Sequence, residues 1–99
     1  MLYATTEDFR SLSEPKVWFD PGHSVIDATA IEHAGRYYRF TKEDREPTAS
    51  APYAKSITAQ RSDSLTAAAY EPIAACVGHG AIGDGEGPLV FKSNTEEKW

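Results

Sequence analysis

The chain has one cysteine, Cys76, in 99 residues. A single thiol excludes an internal disulfide framework and a cysteine-rich zinc site. Its expected role is that of a small packing residue rather than a nucleophile. There is no run of about 18 apolar residues, so no membrane-spanning helix is expected. Clustered basic residues are also missing: ten Lys and Arg are mixed along the chain with fifteen Asp and Glu, for a net charge of -5. That balance disfavours a nucleic-acid surface. The opening MLYATTEDFR has neither the basic nor the apolar region of a signal peptide. Redox compartment and localisation stay open. The composition, 40% hydrophobic and 25% charged, is that of one small globular unit.

Most of the local signals are β. Leu2 to Thr5, Lys16 to Phe19, Val25 to Glu32, Arg36 to Thr41, Ser56 to Arg61, Tyr70 to Val77 and Pro88 to Lys92 read as seven short strands. Turn chemistry separates them. Asp20-Pro21-Gly22 is a turn tripeptide, and His33-Ala34-Gly35 is a hairpin turn with Gly35 at positive φ. Lys42 to Tyr53 carries charge and two prolines and reads as a long loop. Ala67-Ala68-Ala69 raises a helical alternative for Ser64 to Tyr70, but Pro72 would end it, and a turn is preferred.

An internal repeat organises these strands. YATTEDF (Tyr3 to Phe9) is similar to TAQRSDS (Thr58 to Ser64), Glu14-Pro15 to Glu71-Pro72, and Asp27-Ala28 to Glu86-Gly87. The copies lie roughly 55 to 59 residues apart, near the ~50-residue period of propeller blades with four strands each. The fold class expected is all-β, a fragment of a five-bladed β-propeller. Residues 1–22 are the outer strands of one blade, 23–78 a complete four-stranded blade, and 79–99 the start of the next. Both ends read as cut, because LYAT opens in mid-strand and Lys98-Trp99 stops where an aromatic strand begins.

In that layout Asp27 and Glu86 take equivalent places on adjacent inner strands. Two carboxyl groups beside one bond are what glycoside hydrolysis needs. One protonates the leaving oxygen. The other activates water or attacks carbon. The glycines around Glu86 suit a place where substrate or another backbone comes close. Any acidic protein offers pairs of carboxylates, so the pair alone is a weak signal.

The order and spacing of the motifs sharpen it. VIDATAIEHAGRYYRFTKED and GEGPLVFKSN, with TTEDFRSLSEP and RSDSLTAAAYEP, resemble the second and third blades of a glycoside hydrolase family 43-type five-bladed propeller. The resemblance covers nearly the whole chain. It implies an inverting site of three acids on α-L-arabinofuranosyl or β-xylosyl linkages. Glu86 matches the general acid, and Asp27 the acid that orients the donor and tunes its pKa. The general base has no counterpart in these 99 residues, and Asp20 reads as an inter-blade turn residue instead. Ala28 stands where the family often has proline, which points to a subgroup.

Each assignment has a plainer alternative. Asp27 could cap a strand start, and Glu86 could be a solvated acid in a flexible loop. His23 and His79 each precede one of the acids and could line the sugar pocket or a metal site, although surface roles suit them better. Trp18, Tyr37, Tyr38 and Phe40 are expected in blade packing. The run Lys42-Glu43-Asp44-Arg45-Glu46 is expected as a solvated loop.

No cofactor or metal is expected within the chain; in some relatives of the full propeller the resemblance implies a structural calcium. The expected partner is an oligosaccharide or polysaccharide, with neither nucleic acid nor membrane, and open blade edges make self-association an expectation. The rival readings are a non-catalytic carbohydrate-binding or truncated propeller module, a small β-domain acting through protein contacts, and a related phosphorolytic or fructan-acting enzyme.

Overall fold

The structure, a computed structural model, describes residues 1–99 and is all-β, with no helix. Strands β1 (Leu2–Tyr3) and β2 (Lys16–Val17) form an antiparallel pair in which Leu2 faces Val17. Strands β3 (Val25–His33), β4 (Arg36–Glu43), β5 (Ile57–Ser62) and β6 (Glu71–Ala74) form a four-stranded antiparallel meander in sequence order. This architecture is consistent with a slice of a propeller. The repeat noted in the sequence has a structural counterpart. Its two copies begin at β1 and β5, and each strand pairs with the next, as β1 with β2 and β5 with β6.

The β3–β4 connection is tight for a clear backbone reason. Ala34 and Gly35 both have positive φ, 52° and 74°, the conformation that a two-residue turn needs to match strand twist. The Gly35 N–H donates to Glu32 Oε1 at 2.8 Å. The sequence assigned positive φ to Gly35 alone. At the same end of the sheet, residues 63–70 form turns between β5 and β6, with the Ala67 N–H donating to the Ser64 carbonyl.

Two expectations are corrected. Pro88 to Lys92 is not a strand; no ladder partner lies beside it within these residues. And β4 runs to Glu43, so Lys42 and Glu43 are buried strand residues rather than part of a solvated loop. Lys42 pairs with Ile26 on β3 and Ile57 on β5. The loop begins after them.

Side chains alternate along β4, and each face has its own cover. Arg39, Thr41 and Glu43 point to the face covered by residues 18–23. Tyr38, Phe40 and Lys42 point to the face covered by the segment after residue 78. On this second face Ile31, His33, Tyr38, Phe40, Val90 and Trp99 line an apolar cavity, and Trp99 meets His33 edge to face at 5.0 Å.

The first face has a polar centre. Arg39 is fully buried, with its guanidinium 4.0 to 5.1 Å from the ring centroids of Tyr70, Phe19 and Trp18. It donates from Nε and Nη2 to Oε1 of Gln60 at 2.8 and 2.6 Å, and from Nη1 to the Trp18 carbonyl. The Gln60 amide then donates to Thr58 Oγ1 and Thr41 Oγ1, and those two hydroxyls bond each other. No buried side-chain polar atom lacks a partner. A buried cation without a carboxylate is costly, and burial pulls the Arg39 pKa down. The aromatic faces and the oxygen acceptors offset that cost. The segment before β3 is also tied to the β5–β6 turn, because Trp18 Nε1 and the Tyr70 hydroxyl both donate to the Leu65 carbonyl at 2.7 Å.

Candidate functional site

Asp27 interrupts β3 rather than opening it. Ile26 pairs with Lys42 and Thr29 with Phe40, so Asp27 and Ala28 together oppose Thr41. This is a β-bulge, a device that re-aims a side chain. Asp27 has φ 51°. Aspartate is among the few residues that accept the left-handed region, where most L-residues pay about 1–2 kcal/mol. Ala28 completes the bulge in the place where the family resemblance led to proline.

Glu86 reaches the same spot from a distant loop. Residues 78–87 turn back over the sheet, anchored by the Val77 N–H on the Ile57 carbonyl (2.8 Å) and the Gly85 N–H on the Lys55 carbonyl (3.2 Å). Gly85 permits this approach, because a Cβ there would meet Ile57 Cγ1 at 3.0 Å. Gly87, at φ 54°, turns the chain again. Its N–H donates to Asp27 Oδ2 at 3.2 Å. The structure therefore brings Asp27 to the backbone beside Glu86, with both side chains at the surface.

Lys42, which the sequence reading placed in a solvated loop, joins them. Its ammonium donates to Glu86 Oε1. The Lys42 side chain is 7% exposed and that of Glu86 75%, so the fixed partner is the lysine. The Lys42 pKa is raised, first by the bond to Glu86 and then by the charges of Glu86, Asp44 and Asp27. A signal for this residue was present in the sequence. The period of two that puts Tyr38 and Phe40 on one face also puts Lys42 there.

The other charged groups gather on the opposite face. His23 Nε2 lies 2.6 Å from Glu43 Oε2, and Arg45 Nε lies 3.1 Å from the same oxygen. Ser24 Oγ donates to Asp44 Oδ2 at 3.1 Å. His23 is thus partnered by Glu43. His79 is exposed and packs edge to face on Tyr53, with ring centroids 5.2 Å apart. Neither histidine bonds Asp27 or Glu86. A concavity lined by Glu43, Arg45, Tyr53, Ala54 and Thr58 adjoins this cluster and includes neither acid. No three His, Cys, Asp or Glu side chains converge as candidate metal ligands. Asp20 accepts from the Gly22 N–H at 3.0 Å and caps its own turn.

Two carboxylates, a buried ammonium and a backbone N–H converging on an exposed surface suit the recognition of a polar ligand and proton transfer to it. The comparisons with known proteins agree with that chemistry. A stretch of 71 residues is 44% identical to an alpha-L-arabinofuranosidase of Bifidobacterium longum subsp. longum; it takes in 70% of this chain and 7% of the relative. The chain thus spans less than a tenth of the length of this curated relative. No solved structure matches. The family model described as a probable glycosyl hydrolase domain matches residues 1–99 from end to end, and the chain belongs to that family.

Proposed function

We propose that the chain is part of a glycosidase that cleaves α-L-arabinofuranosyl or β-xylosyl linkages with inversion. The observation that carries this is the meeting of Asp27 and the Glu86 loop through the Gly87 N–H, across the bulge in β3. In this reading Glu86 donates its proton to the glycosidic oxygen as that bond breaks. Asp27 sits at the neck of the Glu86 loop, orients the donor and adds a negative charge. Water attacks the anomeric carbon from the opposite side and gives its proton to a third acid, which we place outside these 99 residues. The arabinofuranosidase relative supports the sugar class, and the exposure of both acids supports a site completed by further chain.

The test is hydrolysis of aryl α-L-arabinofuranosides and β-xylosides by the full-length protein, with the first-formed anomer read by proton NMR. The expected result is turnover with inverted product and none from residues 1–99 alone. Retained configuration would overturn the inverting assignment. Binding of these sugars without turnover would leave a carbohydrate-binding module in place of an enzyme.

A further inference from the structure

We propose that Lys42 is a positioning residue for the donor acid, holding the Glu86 side chain beside Asp27. The proposal rests on the reading of Glu86 as general acid. Three observations carry it. Lys42 is the rigid member of the pair, because its stem lies between Ile26 and Ile57 in the sheet while Glu86 stands on an exposed loop. Its strand partner Ile26 is the residue just before the bulge, so the ammonium and Asp27 are set by the same piece of backbone. And Glu86 has no other side-chain hydrogen bond within residues 1–99, so no second group competes to orient it.

The charges that act on this ammonium are Asp27 on β3, Asp44 beyond β4 and Glu86 on the loop. On the far side of that loop, Lys55 answers to Glu46 and Asp84. Lys42 is thus the cation assigned to the acid pair. Held by this contact, Glu86 meets the glycosidic oxygen of a bound sugar at a place already fixed by β4.

The experiment uses the full-length protein with Lys42→Met, which keeps the apolar stem, and Lys42→Arg, which keeps the charge. For Lys42→Met, kcat on glycosides with poor leaving groups should fall about 10²-fold, with activated aryl glycosides largely spared. Lys42→Arg should recover most of the rate. Crystal structures of both variants give a second readout that needs no activity: Glu86 should leave its place beside Gly87 in Lys42→Met and keep it in Lys42→Arg. If Lys42→Met does not fold, Lys42→Gln, a neutral donor, takes its place in both arms. A Glu86 side chain that stays in place in Lys42→Met, or a rate that Lys42→Arg does not recover, overturns the positioning role. Absence of glycoside cleavage by the unaltered protein would overturn the glycosidase reading, and the crystal structures would still decide whether Lys42 holds Glu86.

Discussion

Gly87 donates its N–H to Asp27 Oδ2 at 3.2 Å across 60 positions of sequence. This bond joins the bulge in β3 to the Glu86 loop, and Asp27 serves it at φ 51°. Asn accepts the same backbone conformation, and its amide oxygen can take the same N–H. Asp27→Asn should therefore keep stability within about 0.5 kcal/mol while lowering the kcat of the full-length enzyme about 10²-fold. Asp27→Val, β-branched at positive φ, should lose about 2 kcal/mol or more. Denaturant titration and steady-state kinetics check the two halves, and equal loss of stability in both variants would contradict the backbone argument.

The Arg39–Gln60 pair makes a second prediction. Removing the guanidinium leaves Gln60 Oε1 without its donor and opens a void among Trp18, Phe19 and Tyr70. Arg39→Ala should cost about 3–5 kcal/mol. Arg39→Lys should not rescue it, because an ammonium cannot bond Gln60 through two nitrogens while stacking on the rings. Urea unfolding at fixed protein concentration measures both.

A stabilising change is available at the β3–β4 turn. Ala34 holds φ 52° before Gly35, and alanine pays a steric cost there that asparagine largely avoids. Ala34→Asn should stabilise by about 1 kcal/mol. A lower thermal midpoint in that variant would contradict the turn assignment.

Acid stability gives a fourth test. Arg61 donates to both oxygens of Glu71 at 2.7 and 3.1 Å, and it is the first cause holding the Glu71 pKa below its ordinary 4.5. A depressed carboxyl pKa stabilises the fold above the unfolded value, and this stability is lost as pH falls through the folded value. Solvent screens this exposed pair, so the effect is small. The stability gap between the unaltered protein and Arg61→Gln should be level above about pH 4.5 and should shrink below it. A gap that stays unchanged as pH falls below that range would contradict the linkage.

The β pattern was legible because Val25 to Phe40 carries alternation and turn chemistry strong enough to set register. Asp27 and Glu86 were singled out by repeat spacing, but the structure places Asp27 in the β3 bulge and Glu86 on a loop, so the expected equivalence on two inner strands is not seen. The polar core was not legible. Arg39, Thr41, Thr58 and Gln60 look like surface residues until Trp18, Phe19 and Tyr70 cover them, and that contact depends on chain folding back from outside the sheet. Lys42 was missed because its neighbours in sequence are charged, and charge suggested solvent. The strand continues there because Lys42 and Glu43 each have an oppositely charged partner, Glu86 and Arg45. Pro88 to Lys92 has the composition of a strand, but composition does not supply a pairing partner.

The most direct test of the account is turnover by Glu86→Gln in the full-length protein, measured on one arabinofuranoside with a poor leaving group and one with an activated aryl group. The account predicts a loss of about 10²–10⁴-fold on the first, a much smaller loss on the second, and an unchanged unfolding midpoint. Near-normal turnover on the poor leaving group would contradict it and remove Glu86 from the chemistry.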